Sequence, residues 1–178
     1  MCLPVRLTKL CISTPLVGMG RCTPRVKEAM AIFGKVFYST EVEINADAEA
    51  VYGVIADFGN YHRWNPWLIQ AQGQCREGEI ADVTVRLGTK SMKVKHKVLE
   101  VVPGKRLRWC DMGWFTLFAY GERSRSIEAL PGGGVRYRNE LPITGPLRAL
   151  ADMFTGKAVR EGMVAENLAL KQFVEAAA

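Results

Sequence analysis

Two hydropathy periods share this chain, and the point where one gives way to the other constrains its fold more than any single motif. From residue 79 to residue 143 apolar and polar residues alternate in short runs. "EIADVTVRLG" sets Ala81, Val83, Val85 and Leu87 against Ile80, Asp82 and Thr84, and "SMKVKHKVLEVV" and "RLRWCDM" follow across the turn "PGK". "GERSRSIEAL" is then joined to "VRYRNELPI" by "PGGG". A period of two punctuated by Gly and Pro at hairpin spacing predicts an antiparallel meander. The apolar run "MGWFTLFAYG" (112–121), inside this region, reads as a strand buried on both faces. Past Gly145 the period changes to that of a helix. Leu147, Leu150, Ala151, Phe154, Ala158, Ala165, Leu168 and Gln172 lie on one stripe over about thirty residues, so the helix is roughly 40 Å long. Gly156 and Gly162 predict weak or bent points within it.

The same switch occurs once near the start. "KVFYSTEVEI" (35–44) ends in alternation, with Val42 and Ile44 opposite Glu41 and Glu43. "NADAEAVYGVIADF" then places Ala48, Val51, Ile55 and Phe58 on one helical face, with Asp47 and Glu49 where a helix N-terminus favours negative charge. The predicted order is strand, short helices, about six strands and a long helix, an α+β architecture. A twisted sheet curling around one long helix leaves room for an apolar cavity between them.

Charge and cysteines narrow the function classes. The chain of 178 residues carries a net +6, with 24 basic and 18 acidic residues. Five of those bases (Arg6, Lys9, Arg21, Arg25, Lys27) and one acid, Glu28, fall in residues 1–29, so the remainder is nearly balanced and no nucleic-acid partner is expected. No apolar run is long enough to span a membrane. Five cysteines without CxxC or zinc spacing indicate neither a disulfide framework nor a metal site, and they fit the reducing cytoplasm. P-loop, GxSxG, HExxH and dinucleotide-binding patterns are missing, and no cofactor is expected.

Residues 1–29 contain turn formers and no sustained periodicity, and are set apart as an extension from a domain spanning 30–178. One reading is a disordered or overextended start, with Met30 as the real initiator; others are a transit-like or signal-like targeting segment.

Candidate site residues follow from strand parity. His96 shares its face with Met92, Val94 and Val98, which points it inward, while Lys93, Lys95 and Lys97 form a solvated outer face. Either a hydrogen-bonded core histidine or a pocket base fits that position. Leu107, Trp109 and Asp111 share a face; Asp111 is a rim residue, or, if it points inward in register with His96, half of an acid–base pair. Tyr137 and Asn139 are inward-facing with hydrogen-bonding tips. Arg125 shares parity with Ile127; a rim position is the plainer reading and a buried anion partner the alternative. His62 belongs to an exposed loop. "NYHRWNPWL" (60–68) spends a tyrosine, a histidine and two tryptophans on a break that Pro66 enforces.

In order along the chain, "INADAEAVYGVIADFGNYHRWNPW", "VLEVVPGKRLRW", "IEALPGGGVRYRNE" with "ITGPL", and "NLALKQFVE" resemble the START-like, polyketide cyclase/dehydrase and lipid-transport (SRPBCC) superfamily with the helix-grip fold. The resemblance covers residues 35 to 176. It implies a curved seven-stranded antiparallel sheet wrapped around the C-terminal helix, two short helices after the first strand, and a pocket between sheet and helix. Members of the group include lipid and sterol carriers, aromatase/cyclases, hydrolase-like enzymes and cochaperone-type domains, so activity must be argued from the site. With that fold, Trp64 is expected to plug the core and Trp67 to line the pocket. The pocket area is assigned to Ile55, Trp67, Val94, Trp109, Phe118 and Phe154, with His96, Tyr137 and Asn139 orienting the guest. The first expectation is a module that binds, and through binding transports, a hydrophobic small molecule or lipid. The alternative is a cyclase/dehydratase in which His96 or Asp111 moves protons, and a third reading is a protein-interaction domain. The sequence does not specify the oligomeric state.

Overall fold

The computed structural model describes residues 34–177, so the expectations for residues 1–29 and for Met30 lie outside the described residues. Seven strands form one sheet: β1 (Lys35–Ile44), β2 (Leu68–Gln72), β3 (Ile80–Leu87), β4 (Lys90–Val102), β5 (Arg106–Met112), β6 (Tyr120–Ala129) and β7 (Val135–Thr144). Three α-helices accompany them: α1 (Ala48–Ala56), α2 (Tyr61–Trp64) and α3 (Arg148–Glu175). The sheet order is β1-β7-β6-β5-β4-β3-β2 and every pairing is antiparallel, so the α+β helix-grip architecture is present. Register shifts at Val98/Glu100 and Leu68/Gln70 mark irregularities of the kind that increase local twist and help a sheet to curl.

Local chemistry explains the first turn around the helix. The Asp47 side chain caps α1 by accepting from the Ala50 amide at 2.7 Å. Val51, Ile55 and Phe58 are fully or almost fully buried, as their spacing predicts. At the break before β2, Pro66 ends α2, and the Asn65 side-chain oxygen accepts from the amides of Trp67 (3.0 Å) and Leu68 (2.8 Å). This turn sends Trp64 back into the core against Tyr61, and carries Trp67 forward to the face of α3.

Two expectations about elements are corrected. Residues 112–121 do not form a strand: Gly113, at φ 122°, turns the chain into a 3-10 turn over Trp114–Leu117. Trp114 and Leu117 are exposed, and strand pairing resumes at Tyr120. A run without alternation carries no phase, so its apolar character alone did not fix its conformation.

The stripe assigned to α3 is also rotated from the true one. Gly156, Val159, Met163, Glu166, Asn167, Leu170 and Val174 face the sheet, whereas Leu147, Leu150, Phe154 and Leu168 are exposed. The buried face includes a glutamate and an asparagine, which a search for apolar residues passes over. Gly156 and Gly162 lie within α3, which runs for 28 residues. They are points of close approach. A Cβ at Gly162 would lie 2.5 Å from the Trp67 indole, and one at Gly156 would lie 3.0 Å from the Tyr38 hydroxyl.

Candidate functional site

Between the sheet and the first half of α3 lies a cavity of about 210 Å³. Val85, Val94, Trp109 and Leu141 form its sheet wall, and Ala151, Thr155 and Val159 its helix wall. Trp67 stands at one side, and Phe115 and Ala119, from the 3-10 turn and its exit, close another. The amide of Leu147 donates to the carbonyl of Phe118 at 2.9 Å, which ties this turn to the start of α3. A larger hollow of about 630 Å³ runs over Gly59, His62 and the backbone of Ile69–Gly73; it is an open surface groove in which exposed His62 donates through Nδ1 to the Gly59 carbonyl at 3.0 Å. The apolar cavity between sheet and helix is the better ligand site.

Two polar constellations meet this cavity. The first is His96 with Asp111. Antiparallel register places the two residues directly opposite each other on β4 and β5, and the His96 Nδ1 lies 3.1 Å from an Asp111 carboxylate oxygen. The geometry between them is not that of a hydrogen bond, and Nδ1 has no other hydrogen-bond partner among the described residues. His96 stacks on Trp109 with ring centroids 5.1 Å apart and planes 12° from parallel. Gly121 leaves room for the carboxylate, because a Cβ there would sit 2.5 Å from Asp111 Oδ2.

The second is a charged cluster sealed beneath Trp67 and Trp109. Glu166, fully buried on α3, accepts from Arg123 at 2.9 Å and from Arg125 at 2.6 Å. Asn65 and Asn139 also donate to its carboxylate, at 3.1 and 3.3 Å. Arg123 donates through Nε to the Asn139 side-chain oxygen at 3.0 Å, and Arg125 donates to the Tyr61 hydroxyl at 2.5 Å, which itself donates to the Ile55 carbonyl. Each guanidinium lies over an indole: Arg123 over Trp67 at 4.2 Å, and Arg125 over Trp109 at 4.5 Å. Burial, with Arg125 adding repulsion, pulls the Arg123 pKa down despite Glu166. At Arg125 burial is again the largest single effect and acts downward, but Glu166, Tyr61 and Tyr137 together outweigh it and raise the pKa. Burial pushes the Tyr61 hydroxyl up to about 12, against the opposing pull of Arg125.

Of the residues expected from the sequence, Trp67, Val94, His96, Trp109 and Asp111 are brought together on the cavity wall. Asp111 is therefore not merely a rim residue; its side chain is 27% exposed and faces the cavity. Trp64 is buried in the core and His62 is exposed, both as expected. Five assignments to the wall change. Ile55 is fully buried in the core beneath α1. Phe118 is 43% exposed and packs edge-on against Trp114, so Phe115 and Ala119 take its place. Phe154 is 75% exposed because the stripe on α3 is rotated, and Thr155 faces inward instead. Tyr137 and Asn139 do point inward but are sealed below the wall: Asn139 serves the Glu166 cluster, and the Tyr137 hydroxyl has no partner among the described residues. Arg125 is buried, not at the rim. Glu166 and Arg123 were not anticipated, although Arg123 shares the parity of Arg125 and Ile127 along β6.

The sequence matches the polyketide cyclase / dehydrase and lipid transport family over residues 36–175. The chain belongs to this family. No curated protein matches it by sequence. Among solved structures, it is similar to an aromatase/cyclase, Zhui, from Streptomyces sp. R1128, with a TM-score of 0.68 and 13% identity over 79% of this chain and 94% of that one. Norcoclaurine synthase from Thalictrum flavum, in complex with dopamine and hydroxybenzaldehyde, is similar with a TM-score of 0.62 and 15% identity, covering 91% of this chain and 96% of that one. Ara h 8.0201 gives 0.61 and 14%, over 79% and 98%. At these identities the structural likenesses show the fold alone. Family and fold together fit hydrophobic-ligand binding or a polyketide-cyclase role. Among the described residues no helix is long and apolar enough to cross a membrane.

Proposed function

We propose that residues 30–178 form a binding module that holds a small hydrophobic molecule between the sheet and α3. The observation that carries this reading is the apolar cavity itself, walled by Trp67, Val94 and Trp109 on one side and by Ala151 and Val159 on the other. Removing apolar surface from water supplies the affinity, at about 25 cal/mol per Å². Its volume falls below the roughly 300 Å³ at the low end of drug-sized ligand pockets, which suits a compact guest. Transport of a lipid is an extension of the same reading, and Cys75, which forms no disulfide among the described residues, is compatible with a cytoplasmic setting. The test is titration with an environment-sensitive apolar dye. Ala151→Phe, which places a ring in the cavity, is expected to abolish uptake while leaving the circular dichroism spectrum unchanged. Equal uptake by this variant would remove the cavity as the site.

One observation favours a second reading, in which the module is a cyclase or dehydratase: His96 and Asp111 face each other at 3.1 Å on the cavity wall. In that case His96 shuttles the proton and Asp111 orients its ring. His96→Ala would then lower kcat by a factor of about 10² or more, with ligand affinity changing far less. Unchanged turnover in this variant would end that reading.

A further inference from the structure

Arg123 joins the two halves of the site: it belongs to the buried charged cluster, and it also lines the cavity. The cluster contains two guanidinium groups and a single carboxylate, that of Glu166. Both arginines are almost completely enclosed, Arg123 being 4% and Arg125 1% exposed. Burying a charge is costly unless it is matched, and the surplus here is one positive charge. The indoles of Trp67 and Trp109 offset part of it, but an aromatic face is a weaker partner than an anion. Of the two, Arg123 lines the cavity and is the guanidinium a guest can reach; Arg125, whose Nε is buried without a hydrogen-bond partner among the described residues, does not line it. Glu166 Oε1 already accepts from Arg125 and Asn65, and Arg125 is turned towards Tyr61. Arg123 uses Nε for Asn139 and Nη2 for Glu166, and its Nη1 has no hydrogen-bond partner among the described residues. Asp111 faces the same cavity, but its carboxylate is beside His96 over Gly121, and no ion pair joins it to Arg123 among the described residues.

We propose that the guest of this cavity is an amphipathic anion, a small apolar body carrying a carboxylate or comparable acid, whose charge is met by the Nη1 of Arg123. The proposal rests on the binding reading above and narrows it to a ligand class. The apolar part lies between Val94, Leu141 and Val159, and the acid points to the wall where Trp67 supports the guanidinium. Glu166, Asn139 and Trp67 hold Arg123 in place before the ligand arrives, so little side-chain entropy is lost on binding. A volume of about 210 Å³ suits a guest of on the order of ten non-hydrogen atoms.

The experiment is calorimetric titration of the full chain with matched pairs: octanoate against octanol, and hydrocinnamate against hydrocinnamyl alcohol. Each acid is expected to bind about tenfold more tightly than its alcohol, since a hydrogen bond to a charged group is stronger than one to a neutral group. Arg123→Gln is expected to erase that preference, so that each acid binds no more tightly than its alcohol; Arg123→Lys, which retains the charge, is expected to keep part of it. If Arg123→Gln fails to fold, the comparison within the unaltered protein decides alone. Alcohols binding as well as acids would overturn the anion assignment and leave the binding module standing. If neither acid nor alcohol bound, the module reading would fall together with it.

Discussion

Single residues set this site through contacts that could be close only because a side chain is missing. Gly162 and Gly53 are both helical glycines, yet substitution by alanine should move stability in opposite directions. Alanine gains about 1 kcal/mol over glycine in a helix interior. At Gly53 nothing lies within 4 Å of a new Cβ, so Gly53→Ala is expected to raise the urea midpoint by an amount worth about 0.5–1 kcal/mol. At Gly162 the new methyl would stand 2.5 Å from an indole pinned under Arg123, and overpacking of this kind costs about 1–3 kcal/mol. Gly162→Ala should therefore lower the midpoint and displace Trp67, visible as a shift in tryptophan emission. A stabilised Gly162→Ala would contradict the packing described. From the sequence, both glycines of α3 read as weak points, because propensity is a property of the residue alone and the neighbour across the gap is not in the local string.

At the scale of elements, α3 is held to the sheet by polar as well as apolar contacts. Glu166 reaches both β6, through Arg123 and Arg125, and the turn before β2, through Asn65. Glu166→Leu would leave two buried guanidinium groups without their anion, and removal of one partner from such a group costs about 3–5 kcal/mol. The expected loss, read from denaturant unfolding, is of that size; a loss below about 1 kcal/mol would mean that water already screens the cluster. The strands were legible because alternation in β3, β4 and β7 faces one side of the sheet to the helix, and the turns at Gly104 and Gly133–Gly134 have the positive φ that glycine supplies. The phase of α3 was not legible for a physical reason. Its inner face holds Gly156, Glu166 and Asn167, whereas large apolar residues, Leu150 and Phe154 among them, lie outside. Register between β4 and β5 was likewise beyond the sequence, and it is register that sets His96 opposite Asp111.

For the whole molecule, the buried hydroxyls give the fold an alkaline limit. Tyr61 holds its proton up to about 12, while tyrosine in the unfolded chain loses it near 10. Between those values the folded state binds more protons than the unfolded one, so stability is full below about pH 10 and falls as pH rises towards 12. Tyr137, also raised by burial, adds to the same window. Urea midpoints measured at pH 8, 10 and 11 should decline only over the last interval; a flat profile would place these hydroxyls in water. The long-range architecture was the most legible level, because a meander followed by one long helix has few ways to bury both apolar surfaces. The site was legible in part. Strand parity found Val94, His96, Trp109 and Asp111, and the family resemblance found Trp67, but the cation in the wall, Arg123, becomes meaningful only once Glu166 is seen beneath it.

The central claim is that the space between the sheet and α3 is a binding site for a compact hydrophobic guest. It is tested most directly by native mass spectrometry of the purified full chain, before and after addition of octanoate and hydrocinnamate. A discrete one-to-one adduct that Ala151→Phe does not form is the expected result. A protein that remains at its bare mass with every acid and alcohol added, or an adduct that Ala151→Phe retains, would contradict it.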